Sequence, residues 1–336
     1  MSFSQLPEEL LFIICEKISS IVDLVNLSVC SKRLNFICKE SNLYHCDVYE
    51  IKNTNNFEKN INIALEFNKN IKLKLDLSQS DISDVSILSR VHTLNLSGRE
   101  KVTDVSMLGN VYDLNLSYCY YLTDVSNLGN VHTLNLRLCD SITDISMLGR
   151  VHNLNLSGCD NLTNVSMLGN VHTLDLSACD NLTDVSMLGN VHNLDLSHCY
   201  NISDVSFLSR VHKLSLYGCY FIIDVSMLGN VHDLNLSWCH EITDVSMLGN
   251  VHNLDLTCCE GIKDVSKLGN VHKLDLYNCT RVTDVSMLGN VHTLNLQNCS
   301  KIKDVSMLGN VHTLNLRGCK RIKDISMLGN VVNLFE

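Results

Sequence analysis

Residues 104–123 read DVSMLGNVYDLNLSYCYYLT, and the chain repeats this pattern every twenty residues across residues 84–323. Twelve such units follow one another without insertion or deletion. Leu114 and Leu116 alternate with polar residues, which is the period-two pattern of a short strand with one buried face. Gly109 and the asparagine after it form a turn signal before that strand. Each unit exposes its apolar layer unless a neighbour covers it, so the pattern predicts stacked parallel strands around one continuous core.

Written from its strand, the unit reads VHxLxLxxCxx[IL]TDVSxLGN, which resembles the cysteine-containing leucine-rich repeat. The resemblance implies an α/β fold, a curved leucine-rich-repeat solenoid of twenty-residue repeats with a parallel sheet on its concave face. Because twenty residues leave little room for a return helix, a short helical turn or an extended segment is expected on the convex side. Strands near Leu75 and Leu334 would extend the sheet to about fourteen strands.

Residues 6–37 read LPEELLFIICEKISSIVDLVNLSVCSKRLNFI. Pro7 suits a helix start, and the apolar residues that follow it recur at helical spacing. The segment resembles the F-box from end to end, which implies a small all-α domain that binds a Skp-type adaptor of a cullin ubiquitin ligase. An ordinary helical cap for the repeats is the alternative. The residues assigned to adaptor binding are Leu6, Pro7, Leu10, Leu11, Ile14, Leu24, Leu27, Val29, Cys30 and Leu34.

These patterns divide the chain into three parts. We expect an F-box helical domain at residues 1–41, a linker and N-terminal cap at residues 42–70, and the solenoid at residues 71–336. The near-identical repeats and the linker rich in Asn, Ile and Lys resemble F-box proteins of giant amoebal DNA viruses, which would place the protein in the cytoplasm of a host cell.

Composition excludes several classes of function. The formal net charge of −10 argues against nucleic-acid binding, which requires a basic face. No apolar run approaches the roughly 18 residues that span a bilayer, so no membrane contact is predicted. The N-terminus lacks the basic region of a signal peptide, which favours the cytoplasm, with the nucleus as a second possibility, and reduced thiols.

Cysteine, histidine and aspartate each recur at one position of the unit and form separate columns. The cysteines, from Cys119 to Cys319, are expected to be buried thiols facing backbone groups, and Arg99, which breaks this column, is expected to turn outward. The histidines are expected to stack, and the aspartates to accept hydrogen bonds from turn amides. Metal binding by the histidines and calcium binding by the aspartates remain the alternatives. Because columns do not converge on one point, we predict no catalytic residue, no metal site and no cofactor.

Partner specificity can lie only where exposed positions depart from the majority of units. Aromatic residues and arginine are favoured as binding anchors, whereas neutral drift is the alternative explanation. The residues assigned to target binding are Arg137, Lys213, Tyr217, Asp233, Trp238, Tyr277 and Arg317.

The combined patterns predict a non-catalytic substrate receptor of an SCF-type ubiquitin ligase, in which the repeats bind an unidentified target protein. The alternative is an interaction scaffold without ubiquitin transfer. Val332 and Phe335 lie in an apolar final strand, so self-association through the C-terminal edge is also expected.

Overall fold

The computed structural model describes Tyr49–Glu50 and residues 73–336. The F-box positions and most of the expected linker lie outside the described residues. The chain divides into two compact units, Met1–Cys139 and Asp140–Glu336.

The first unit contains short parallel strands that pair in the order of the chain. Single-turn 3-10 helices lie between successive strands on the return side of the repeats. Its described strands are β1 (Tyr49–Glu50), β2 (Leu73–Asp76), β3 (Thr93–Asn95), β4 (Asp113–Asn115) and β5 (Thr133–Asn135). Its described 3-10 helices are Ser86–Leu88, Ser106–Leu108 and Ser126–Leu128.

The strands of the second unit are also parallel and pair at a constant offset of one repeat, as in Leu214 with Leu234. Its strands are β6 (Asn153–Asn155), β7 (Thr173–Asp175), β8 (Asn193–Asp195), β9 (Lys213–Ser215), β10 (Asp233–Asn235), β11 (Asn253–Asp255), β12 (Lys273–Asp275), β13 (Thr293–Asn295), β14 (Thr313–Asn315) and β15 (Asn333–Phe335). Its 3-10 helices are Leu148–Arg150, Ser166–Leu168, Ser186–Leu188, Ser206–Leu208, Ser226–Asn230, Ser246–Leu248, Ser286–Leu288, Ser306–Leu308 and Ser326–Leu328.

Each repeat contributes one apolar layer to the core. The repeat at residues 224–243 buries Val225, Leu228, Val231, Leu234, Leu236, Cys239 and Ile242, each at most 2% exposed. Burying one such aliphatic side chain stabilises the fold by about 1.5–3 kcal/mol. These layers and the parallel strands confirm the predicted leucine-rich-repeat solenoid.

The aspartate column caps the return turns. Asp224 Oδ1 accepts a hydrogen bond from the Ser226 N–H at 2.9 Å, and Asn164 accepts the equivalent bond from Ser166 at 3.0 Å. The Ser226 N–H favours the ionised form and lowers the pKa of Asp224 below its ordinary value. The predicted capping role is therefore confirmed, and an asparagine fills it without charge.

The cysteine column satisfies carbonyl groups behind the strands. The buried Cys219 thiol lies 3.1 Å from the Leu196 carbonyl oxygen, which also accepts the Cys199 N–H. Burial raises the pKa of Cys219 to about 12, so the thiol keeps its proton and can donate it. None of the cysteines in the described part of the chain forms a disulfide. The prediction of buried thiols facing backbone groups is confirmed.

Arg99, at the same position of the first repeat, does not turn outward as expected. Its side chain is partly buried, and Nη1 donates a hydrogen bond to the Ser80 carbonyl oxygen. The expectation was wrong because it did not consider the carbonyl oxygens of the preceding layer. In that layer, Ser80 occupies the position that holds a cysteine in later layers. The guanidinium group of Arg99 therefore donates a hydrogen bond to the Ser80 carbonyl oxygen, but its Nε is buried without a hydrogen-bond partner.

Candidate functional site

A groove of about 550 Å³ lies on the exposed face of the sheet in the second unit. It crosses strands β7 to β12, and alternate residues of each strand face it because side chains of a strand alternate between its two faces. The charged residues that line it are Asp175, Asp195, Lys213, Asp233, Asp255, Lys273 and Asp275. Five carboxylates against two ammonium groups make the groove acidic.

Asp233 lies at the centre of a small polar network in this groove. Lys213 Nζ lies 3.3 Å from its carboxylate, Asn253 Nδ2 donates to Oδ1 at 2.6 Å, and His232 Nδ1 lies 2.9 Å from the same oxygen. Burial alone would raise the pKa of Asp233, but the contacts with Asn253, His232 and Lys213 together hold that pKa below its ordinary value. Asp233 is therefore an anchored negative charge near neutral pH.

An aromatic cluster lies where the strands of the groove end. His198 contacts Tyr217 with ring centroids 4.7 Å apart and Tyr200 at 5.9 Å. Tyr200 stacks on Tyr220 at 5.3 Å, and Tyr220 stacks on the ring of residue 240 at 5.7 Å. The six rings of this cluster, linked by edge or stacking contacts, are His198, Tyr200, Tyr217, Tyr220, Trp238 and His240.

Two rings of the cluster occupy a backbone position that favours glycine. The position one residue before the cysteine column has a positive φ in all twelve repeats from Gly98 to Gly318. Trp238 has φ 64° and His198 has φ 60° at this position, which costs an L-residue about 1–2 kcal/mol. Gly218 occupies it between them, and a Cβ there would lie 3.0 Å from the His198 ring. This conformation is shared by non-glycine residues in eight of the twelve repeats, so it belongs to the repeat and directs the side chain of this position toward the exposed rim.

The structure brings together four of the residues assigned to target binding. Lys213 and Asp233 line the groove, while Tyr217 and Trp238 belong to the aromatic cluster. The other three, Arg137 in the first unit together with Tyr277 and Arg317, belong to neither. Tyr277 accepts a hydrogen bond from Asn298, and Arg317 lies over the Phe335 ring at 5.3 Å.

Sequence comparison between repeats missed four of the acidic residues in the groove, namely Asp175, Asp195, Asp255 and Asp275. Other repeats carry asparagine at this position, and both residue types accept a hydrogen bond from the amide two residues on, as Asn235 and Asp195 do. Because asparagine and aspartate make the same hydrogen bond here, the pattern of the repeat does not distinguish the charged residue from the neutral one. The signal that could have found them was the grouping of these aspartates within six consecutive strands.

The histidine column forms a stack of rings in each unit. Successive centroids lie 4.6–4.8 Å apart from His152 to His312, and Tyr112 stacks between His92 and His132 in the first unit. The predicted stacking is confirmed. Desolvation and then the neighbouring rings lower the pKa of His172 and of His292.

This stack predicts a loss of stability in mild acid. Because the folded pKa of His172 lies below the unfolded value of about 6.5, the unfolded chain binds more protons as the pH falls through that range. The free energy of unfolding should fall between about pH 7.5 and about pH 5.5, measured by urea denaturation. The double variant His172→Tyr/His292→Tyr, for which Tyr112 is the natural precedent, should lose less stability over the same interval. An equal loss in both proteins would assign the acid sensitivity to other groups.

A line of exposed apolar side chains follows the return turns and was not predicted from the sequence. It consists of Met147, Met167, Met187, Phe207, Met227, Met247, Met287, Met307 and Met327, each 55–63% exposed. Val332 and Phe335 in the last strand are also exposed, and self-association through that edge stays a prediction.

Metal-binding groups and membrane-spanning helices are both absent from the described part of the chain. Among residues 49–50 and 73–336, no group of three or more His, Cys, Asp or Glu side chains is arranged to hold a metal ion. Within the same residues, no helix has the length and apolar character required to cross a bilayer.

Comparison with known proteins assigns both parts of the chain. The family model of the F-box domain matches residues 3–46. The fold resembles that of an internalin (InlF) from Listeria monocytogenes, with a TM-score of 0.52 and 22% identity over 77% of this chain and 91% of the internalin. The chain joins an F-box to a leucine-rich-repeat solenoid.

Two further structures resemble this F-box and leucine-rich-repeat chain more distantly. One is the functional domain of InlJ from Listeria monocytogenes, which is described as including a cysteine ladder. It is 18% identical to this chain, the match covers 83% of this chain and 74% of the InlJ chain, and the TM-score is 0.46. A leucine-rich-repeat protein of Leptospira interrogans is 17% identical, covers 80% and 94%, and has a TM-score of 0.37. No curated protein matches the sequence. The architecture is that of a protein-interaction module.

Proposed function

We propose that the chain is the substrate-recognition subunit of an SCF-type ubiquitin ligase. The observation that carries this proposal is the F-box match at residues 3–46, which precedes a repeat solenoid in the same chain. The F-box would bind a Skp-type adaptor attached to a cullin, and the repeats would bind the target protein. Ubiquitin transfer would be performed by other subunits, in the cytoplasm or the nucleus.

Features of the solenoid support a binding role for the repeats. Arg137, Lys213 and Trp238, which depart from the majority of repeats, are exposed, whereas the apolar core positions scarcely vary. Repeats of this kind keep their fold when surface residues change, because each layer depends on its neighbours. The groove and the aromatic cluster provide charged and aromatic anchors of the kind that dominate protein interfaces.

The F-box double variant Leu10→Ala/Leu11→Ala tests the proposal. These residues belong to the apolar stripe assigned to the adaptor. The double variant removes about six methylene-sized groups at roughly 0.8 kcal/mol each, or about 5 kcal/mol in all, so adaptor affinity should fall by about 3,000-fold. Binding of a purified Skp-type adaptor to the full chain, measured by calorimetry, gives the result.

A matched control removes apolar side chains from another surface. Met187→Ala/Met247→Ala deletes two side chains that are 60% exposed in the solenoid, and it should leave adaptor affinity unchanged. Reconstitution with a cullin ligase then tests ubiquitin transfer to a target captured by the chain. If the wild-type chain binds no adaptor, the proposal is wrong. Adaptor binding without ubiquitin transfer would favour the scaffold alternative.

A further inference from the structure

The acidic groove and the aromatic cluster form one continuous surface. Ser215, the last residue of β9, lines the groove. Tyr217 follows it by two residues and belongs to the cluster. Asn235 lines the groove in the next repeat, and Trp238 follows it by three residues. A ligand that fills the groove therefore lies next to the aromatic rings.

The charges of the groove favour a cationic ligand. Asp175 lies directly beside Asp195 in the register of adjacent strands, and Asp255 lies beside Asp275. Adjacent strands are about 4.8 Å apart, so each pair places two like charges side by side, which is unfavourable for the free protein. Lys213 is already engaged by Asp233 at 3.3 Å. A ligand that supplies positive charge between the paired aspartates would remove this repulsion.

The aromatic cluster favours the same kind of ligand. Cations bind over aromatic faces, and tryptophan gives the strongest of these contacts, particularly with guanidinium groups. Trp238 and Tyr220 are exposed, and their neighbours in the cluster hold them by ring contacts. The ring of Trp238 therefore offers an exposed aromatic face next to the acidic groove.

We propose that the groove and the aromatic cluster bind an extended, arginine-rich segment of a partner protein, with arginine side chains between the paired aspartates and over Trp238. The groove crosses six strands, or about 24 Å, which an extended peptide spans in about eight residues. The inference rests on the proposed function in so far as the partner is the ligase target. Peptide binding is measured without adaptor or ligase, so its failure is distinguishable from failure of the ligase assignment.

The tryptophan in the cluster provides the measurement, because Trp238 is the one tryptophan of the chain. The probe is a synthetic peptide of about eight residues in which arginine alternates with serine, titrated into the full-length chain at physiological salt. The fluorescence of Trp238 should change saturably with the arginine peptide. The corresponding glutamate and serine peptide should cause no change.

Two double variants that each remove two negative charges distinguish binding in the groove from attraction to the net charge of the chain. Asp195→Asn/Asp255→Asn should weaken peptide affinity about tenfold, because asparagine keeps the hydrogen bond to the following amide as Asn235 does. Asp184→Asn/Asp244→Asn alters two aspartates of the return turns, where Asn164 is the natural precedent, and should leave the affinity unchanged. Equal weakening in both double variants would show attraction to overall charge and overturn the proposal.

Replacement of Trp238 by glycine separates binding from folding. Glycine adopts the positive φ without strain, so Trp238→Gly should raise the melting temperature. The same variant should weaken binding of a fluorescently labelled arginine peptide about tenfold. Unchanged peptide affinity in Trp238→Gly, or the absence of a fluorescence change in the wild type, would overturn the proposal.

Discussion

Replacement of Gly229 by alanine should lower the free energy of unfolding by about 1 kcal/mol, a small loss because Ser89 and Ser209 hold a Cβ at the equivalent position of their repeats. The glycine lies in the 3-10 turn Ser226–Asn230, where a Cβ would approach the Met247 carbonyl oxygen of the next repeat to 2.3 Å. That oxygen belongs to the backbone and cannot rotate away, so the added Cβ requires a small local shift between the two layers, as a serine already does at residue 209. Chemical denaturation monitored by circular dichroism measures the loss.

Gly329→Ala is the matched control for this substitution. Gly329 occupies the same position of its repeat with ordinary helical φ, but no atom lies within 4 Å of an added Cβ. Alanine there should raise the free energy of unfolding by about 0.5 kcal/mol, because it restricts the unfolded chain. If both variants are equally stable, the close approach to the Met247 carbonyl oxygen carries no cost at residue 229.

Cys219→Arg should destabilise the solenoid by about 4 kcal/mol. Cys219 is 0% exposed, and an arginine there would place a charged group in a layer of buried apolar side chains. The reciprocal variant, Arg99→Cys, should stay within about 1 kcal/mol of the wild type, because the partly buried Arg99 already lacks a partner for its Nε.

Denaturation of both variants under reducing conditions compares the two positions directly. A small effect of Cys219→Arg would mean that the side chain escapes to the surface, as was expected of Arg99. A large loss of stability in Arg99→Cys would mean that its bond to the Ser80 carbonyl oxygen holds the first layers together. Either outcome would contradict the conclusion that this position of the repeat requires a small buried side chain.

The periodic positions could be predicted from the sequence because one physical requirement recurs in every repeat. Leu234 alternates with polar neighbours and is buried, and Asp224 precedes a turn whose amide it caps. The spacing of His172 and His192 by one repeat predicts stacked rings, and their centroids lie 4.8 Å apart. Such features depend on the repeat itself and on its two neighbours, which the sequence specifies.

Features that depend on departures from the pattern were harder to predict. Trp238 and Tyr118 give no local sign of a positive φ, because glycine occupies this position in only four repeats. Asp195 and Asn235 make the same hydrogen bond, so their different charges do not disturb the fold. The inward path of Arg99 depends on an acceptor in the preceding layer. The identities of these residues depend on neighbouring layers or on function, and the twenty-residue repeat pattern predicts neither.

The constant offset of one repeat between paired strands also has a genetic consequence. Deletion of residues 164–183 would remove β7 and join β6 to β8, whose residues already match in register, because Asn153 and Asn193 both pair with Thr173. Duplication of the same stretch would likewise insert a layer that its new neighbours can cover. Recombination between misaligned copies of the repeat can therefore lengthen or shorten this protein in single steps that keep it folded. Such steps would add or remove part of the acidic groove at once, so the gene can change its binding surface without passing through an unfolded intermediate.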